Sequence, residues 1–199
     1  MDHIVLDVEA ANDPAEVGWN PGLINLACAV IWEHSAQQMR VYGHQDVDLL
    51  RTRIEKADRI TGYNIWKFDL PVIYSLKNKN DRTTWLEGKV DDILVRIWNA
   101  PGSGGQYVKG RKADDICKAT IGRCKSGDGS GMPSLWRQGY YARVIDYCIN
   151  DVSIERDLGL FIDQNGHILD PVRGNAKLAI PPWTKPEPVT TNAPSPGLF

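Results

Sequence analysis

Seven residues near the N-terminus, Ile4-Val5-Leu6-Asp7-Val8-Glu9-Ala10, set two carboxylates inside an otherwise apolar strand. With the two-residue period of a strand, Ile4, Leu6 and Val8 share one face, and Val5, Asp7 and Glu9 share the other. Neighbouring carboxylates on a buried face repel each other and are costly to desolvate. Such a strand is tolerated where something positive sits between them, most simply a metal ion. The pair is weak evidence by itself. In a chain with 18 Asp and 7 Glu, chance supplies about 0.6 Asp-x-Glu pairs, and a solvated edge strand would also account for this one.

Bulk properties narrow the field. The 199 residues suffice for one domain with a substantial core, and 42% hydrophobic and 24% charged residues are ordinary for a globular chain. A net charge of −2 carries no global signature of nucleic-acid binding, so any such binding is expected from a local patch. Leu23 to Trp32 is too short to cross a bilayer and is expected as a core strand. No basic region or cleavage site precedes the first strand. Cys28, Cys117, Cys124 and Cys148 form no Cys-x-x-Cys pair and stand apart from the four histidines. We therefore expect a cytoplasmic chain with reduced thiols and no zinc site or membrane span.

Along the chain, a turn-rich stretch from Asn12 to Gly22 leads to strands at Leu23–Trp32 and Gln38–Tyr42. Asp46 to Ala57 has the spacing of an amphipathic helix, Asp58 to Asn64 that of a strand, and Asp69-Leu70-Pro71 opens a second helix. The far end of that helix is basic and polar, with Lys77, Lys79 and Arg82. Asp91 to Trp98 suits a strand or a short helix. Helices are expected over Ala113–Ile121 and from about Tyr140 to Ile162, with glycine-rich loops before each. We expect residues 1–165 to form an α/β domain, residues 166–183 a C-terminal hairpin extension, and residues 184–199 a disordered Pro-rich tail that could bind a protein partner.

Two further segments carry chemistry. Gly62-Tyr63-Asn64-Ile65-Trp66-Lys67-Phe68-Asp69-Leu70-Pro71 carries a carboxylate from a strand end to a helix start, where Asp69 either faces a cleft or caps the helix. Tyr147-Cys148-Ile149-Asn150-Asp151 places a phenol and a carboxylate one helical turn apart, although Tyr-x-x-x-Asp is as cheap by chance as Asp-x-Glu.

In order and spacing, Asp-x-Glu, Asn-x-x-x-Phe-Asp and Tyr-x-x-x-Asp together resemble the DEDD superfamily of 3′→5′ exonucleases, in its tyrosine (DEDDy) subgroup. The middle motif is similar to that of the proofreading domain of family B DNA polymerases. The resemblance spans Ile4 to about Phe161. It implies a ribonuclease-H-like α/β fold with a mixed five-stranded sheet. It also implies Asp7, Glu9, Asp69 and Asp151 as ligands for two Mg²⁺ or Mn²⁺, with Tyr147 beside them as the fifth catalytic residue. Ala10 departs from the pattern, since many relatives have Thr or Ser there.

On that resemblance the reaction is hydrolysis at a nucleic-acid 3′ end, releasing 5′-mononucleotides, with single-stranded DNA favoured over RNA. An exoribonuclease, an endonuclease of the same fold, and a non-catalytic nucleic-acid-binding module are the alternatives. Between Lys109 and Lys125 six basic residues face two acidic ones, and Lys109, Arg111 and Lys112 are candidates for a phosphate-gripping lid, or else part of a solvated helix face. Asn64, Trp66 and Lys67 are candidate nucleic-acid contacts, with Trp66 stacking on a base. A P-loop at Gly105 to Lys112 is excluded, because Arg111 replaces the required lysine and Lys112 the required Ser or Thr.

Overall fold

The computed structural model describes residues 1–77, 84–106, 108–127 and 129–185. Five strands form one sheet: β1 (His3–Ala10), β2 (Leu26–Glu33), β3 (Gln38–Gly43), β4 (Arg59–Gly62) and β5 (Val90–Asp92). Their order is β3-β2-β1-β4-β5. The first three strands are antiparallel, while β4 and β5 run parallel to β1. β1 is thus the central strand, with neighbours on both sides, and the edge-strand account of its carboxylates falls away. Asp7 pairs with Val30 and Glu9 with Cys28, and the register shifts between Glu9 and Ala10. That irregularity passes over Ala27 and shifts the ladder just past the acids, with Ala10 pairing with Leu26.

Both faces of the sheet are covered. On one, α1 (Val47–Lys56) and α2 (Asp69–Tyr74) bury Ile4, Leu6 and Val8 together with Leu50, Ile54, Ile60, Leu70 and Ile73. Each such aliphatic side chain contributes roughly 1.5–3 kcal/mol. Together they hold the strand in place despite the acids on its other side. Across that other side runs α6 (Tyr141–Asn165), whose buried residues include Tyr147, Asp151, Glu155, Leu158 and Ile162 at helical spacing. Its first half packs with α5 (Met132–Arg137) against Val5, Cys28 and Val30. Its second half packs with α3 (Ile93–Asn99), α4 (Ala113–Ile121) and the hairpin of β6 (His167–Asp170) and β7 (Ala176–Ala179).

Several elements differ from expectation for local reasons. β2 begins at Leu26, because Pro21–Leu23 forms a 3-10 turn capped by Asn20, and the Asn25 N–H donates to Asn12 Oδ1 at 2.7 Å. Asparagine side chains here outcompete the ladder. Asp91 to Trp98 is both forms in turn: β5 gives way to α3 at Asp92, whose Oδ1 accepts from the N–H of Leu94 (3.0 Å) and of Val95 (3.3 Å). α5 was not expected, and its first turn is set by Pro133.

Of the expected tail, Thr184 and Lys185 are described, with Lys185 Nζ 3.6 Å from Asp58. Residues 186–199, like Lys79 and Arg82, lie outside the described residues. Among the described residues no helix is long and apolar enough to cross a membrane.

Candidate functional site

Three stretches of chain bring carboxylates to one cleft of about 870 Å³. The first is β1 itself, with Asp7 and Glu9. The second begins where β4 ends at Gly62. A Cβ there would stand 2.3 Å from Ile65 Cγ2 and 2.7 Å from the Leu6 carbonyl oxygen, so only glycine lets the strand end this close to β1. Asn64 then adopts left-handed backbone (φ 67°), which asparagine tolerates. Asp92 clamps the turn, accepting from the N–H groups of Asn64 (2.9 Å) and Trp66 (3.2 Å). Asp69 follows. It does not cap its helix; its Oδ1 accepts from the Val8 N–H at 3.0 Å, which ties it to β1 between Asp7 and Glu9. The third stretch is α6, where Tyr147, Asp151 and Glu155 recur every four residues on the buried side and line the same cleft.

These groups are uncomfortable when ionised. Burial, opposed by Lys125 and reinforced by Asp151, raises Asp7 to about 7. Burial and then Asp7 and Asp151 push Glu9 to about 10. Burial followed by the charge of Asp7 lifts both Asp69 and Glu155 well above the carboxylate range. Asp151 is also raised by burial, against the pull of Lys125. Lys125 itself hydrogen-bonds to Asp151 Oδ2. Burial works against its charge, but Asp7, Glu155 and Asp151 outweigh this and hold it firmly as an ammonium. Tyr147 is raised by burial, and its hydroxyl donates to the Gly127 carbonyl at 3.3 Å. The Cys148 thiol lies 3.5 Å from Asp7 Oδ2.

A divalent cation suits this donor set. Asp151 Oδ1 and Glu155 Oε2 are buried without a hydrogen-bond partner among the described residues. Such oxygens are expensive to leave unpaired. Ligand atoms of Asp7, Glu9 and Cys148 lie within 4.8 Å of one another. Carboxylate oxygens are hard donors, matched to Mg²⁺ or Mn²⁺.

The structure treats the expected contacts unequally. Asp7, Glu9, Asp69, Tyr147 and Asp151 meet in the cleft, and Asn64, Lys67 and Lys112 line its wall. Lys67 Nζ stands 4.4 Å over the Trp98 ring. Arg111 is a correction. It is 4% exposed, with its guanidinium held by Asp170 (2.6 and 3.1 Å) and by the Ser103 carbonyl (2.6 Å), so it anchors the hairpin and is not free to grip phosphate. Trp66 is another: it packs against the core beneath α1 and α2 and does not line the cleft, because the Asp92 clamp holds its backbone. Lys109 is exposed but likewise away from the cleft lining. The basic segment is not one surface, since Arg123 is paired with Asp157 and Lys125 lies inside the site.

Glu155, Lys125, Trp98 and Trp19 line the cleft without having been singled out as site residues. Glu155 was within reach of the sequence, one further turn along α6 from Asp151. Lys125 sits in a loop 26 residues before its partner, and the sequence marks it only as the last of the six basic residues of the expected lid, not as a neighbour of the acids.

No protein-family model matches the chain, and no curated protein does. Among solved structures it is similar to the family B DNA polymerase from the hyperthermophilic archaeon Pyrobaculum calidifontis, with a TM-score of 0.57 at 13% identity over 81% of this chain. That covers 24% of the polymerase chain, so the protein spans about a quarter of the polymerase's length. At this identity the likeness is one of fold: a ribonuclease-H-like α/β domain with a mixed five-stranded sheet flanked by helices.

Proposed function

We propose that the chain is a metal-dependent 3′→5′ exonuclease of the DEDDy type, releasing 5′-mononucleotides from a 3′ end, with single-stranded DNA favoured over RNA. One observation carries this reading: the motif carboxylates share a cleft in which two buried carboxylate oxygens lack hydrogen-bond partners among the described residues. The fold likeness to a DNA polymerase supports it.

Asp7, Glu9, Asp69 and Asp151 would hold two Mg²⁺ or Mn²⁺. Such ions, when bound, activate water as a nucleophile and stabilise the leaving oxygen in phosphodiester hydrolysis. Tyr147 is no base at neutral pH, because burial keeps its phenol protonated; it orients groups by donating a hydrogen bond. Lys67 and Lys112 neutralise phosphates at the wall. Lys125 offsets part of the acid charge before metal arrives.

Lys125 also favours a second reading, a non-catalytic nucleic-acid-binding module in which the ammonium stands permanently in place of an ion. The two separate in one assay. Digestion of 5′-labelled DNA and RNA oligonucleotides, single-stranded and duplex, should give a ladder shortening from the 3′ end with Mg²⁺ or Mn²⁺ and none with excess EDTA. Binding without cleavage under every metal condition would favour the module, and cleavage in EDTA would exclude the two-metal reading.

A further inference from the structure

Five aromatic residues line the cleft among the described residues: Trp19, Tyr63, Phe68, Trp98 and Tyr147. Four are committed to the protein. Tyr63 donates to the Arg111 carbonyl at 2.6 Å, Phe68 packs on the core, Lys67 covers Trp98, and Tyr147 is 6% exposed. Trp19 is different. It is 73% exposed, the largest exposure of any described tryptophan, and among the described residues no ring or cation contact holds its indole.

Its backbone is also costly. Trp19 has φ 61°, in the left-handed region that a bulky side chain rarely adopts. The loop nonetheless fixes it there. Asp13 caps the 3-10 turn Pro14–Val17 by accepting from the Ala15 N–H at 2.8 Å, the Trp19 N–H donates to the Pro14 carbonyl at 2.8 Å, and Glu16 is paired with Arg137 of α5. A large apolar surface left in water on strained backbone is expensive twice over, and strain of this kind concentrates at functional sites. The loop leaves β1 directly after Asp7 and Glu9, and Asp13, Pro14 and Ala15 line the cleft beside Trp19.

We propose that Trp19 is a stacking platform for an unpaired nucleobase of the strand entering the cleft. This rests on the nuclease reading only in assigning a nucleic acid to the cleft; it needs no metal. An indole face takes any base, but only a base freed from its duplex neighbours presents a face to it. The platform therefore selects single strands and is indifferent to the sugar.

The test is binding without cleavage, using the full chain in EDTA and a 5′-fluorescein single-stranded oligonucleotide followed by anisotropy. Trp19→Ala should weaken binding about tenfold or more, equally for DNA and RNA, while Trp19→Phe keeps most of it. A blunt duplex should bind wild type and Trp19→Ala alike. Trp19→Gly should lose binding like alanine, yet its Tm should be unchanged or higher, because glycine relieves the left-handed backbone. Unchanged binding by Trp19→Ala, or a Tm several degrees lower in Trp19→Gly, would overturn the proposal, the latter by showing a packing role. Wild type that binds but never cleaves would sink the nuclease reading and leave the platform standing. Wild type that cleaves, with Trp19→Ala binding equally well, would do the reverse.

Discussion

Two groups of acids in this molecule are paired to different degrees. Where β4 and β5 meet α3 and α6, Asp91 and Asp163 face Arg59 and Arg96. Both Asp163 oxygens accept from Arg59 (2.6 and 3.0 Å), and both Asp91 oxygens accept from Arg96 (3.2 and 3.3 Å), with Arg59 and Thr61 adding to Oδ2 at 3.0 and 3.1 Å. In the cleft, Asp7, Glu9, Asp69, Asp151 and Glu155 share a single ion-paired ammonium among the described residues, Lys125, and two buried oxygens have no hydrogen-bond partner among those residues. In the first group every carboxylate oxygen is bonded, although Arg96 Nε is not among the described residues, and the group acts as structure. The second is short of positive charge, as expected of a site kept ready for a cation and a phosphate.

Removing an acid from each group should give different results. Asp7→Ala or Asp151→Ala should reduce cleavage by about 10³-fold or more. Tm should stay level or rise in Asp7→Ala, which relieves repulsion among buried carboxylates, but fall in Asp151→Ala, which takes the hydrogen-bond partner from Lys125. Digestion of labelled oligonucleotide beside thermal denaturation tests both halves. Full activity in either variant would remove the metal reading. Asp91→Ala should instead cost about 3–5 kcal/mol in urea unfolding, since it takes a fully buried carboxylate from Arg59 and Arg96 and leaves Asp163 as the acid they share. A near-neutral result would mean that the arginines find water or other acceptors.

Acidity separates the two regions further. The folded-state values of Asp7 (about 7) and Glu9 (about 10) lie above their ordinary ones, so the metal-free folded chain holds protons that the unfolded chain releases. Their contribution to stability is full below about pH 4 and is lost as pH rises through 7 and then 10. Beside the paired group, His3 stacks on His34 at 4.1 Å and is lowered to about 3 by burial and then by Arg59. Its contribution is full above about pH 6.5 and is lost as pH falls toward 3. Stability should therefore fall on both flanks. Asp7→Asn should flatten the alkaline flank, and His3→Gln the acid one. Saturating Mg²⁺ should raise Tm more at pH 8 than at pH 6, because the deprotonated acids bind it more tightly; a hundredfold excess over Kd corresponds to about 2.7 kcal/mol of stabilisation. Scanning Tm against pH with and without the ion reads all three.

What the sequence disclosed follows the same division. The strand–helix order was legible from periodicity, because β1, β2 and α1 each bury an apolar face and α6 buries a mostly apolar one that carries Asp151 and Glu155. The convergence of Asp7, Glu9, Asp69 and Asp151 was legible from the family resemblance of the three motifs, since each pair or single acid is by itself open to a plainer reading. Contacts made across loops were not. Arg111 looks basic and solvated in sequence, and only Asp170, 59 residues away, reveals it as buried. Trp66 looks like a cleft aromatic until Asp92, supplied by β5, is seen to hold its backbone. Lys125 and Trp19 act from loops, where no periodicity reports direction.

The smallest effect is expected where a group borders the acids without sharing their charge. Tyr147→Phe removes one hydroxyl, whose bond to the Gly127 carbonyl is long at 3.3 Å, so the stability change should stay within about 1 kcal/mol. Cleavage should slow by roughly tenfold, the loss of one orienting hydrogen bond. Because burial raises the phenol above its ordinary value, it stays protonated from pH 6 to 9, and the wild-type to variant rate ratio should be flat over that range. A ratio that climbs with pH would make Tyr147 a proton acceptor. Its charge would then belong with the cleft acids, and the contrast with the paired group would widen by one residue.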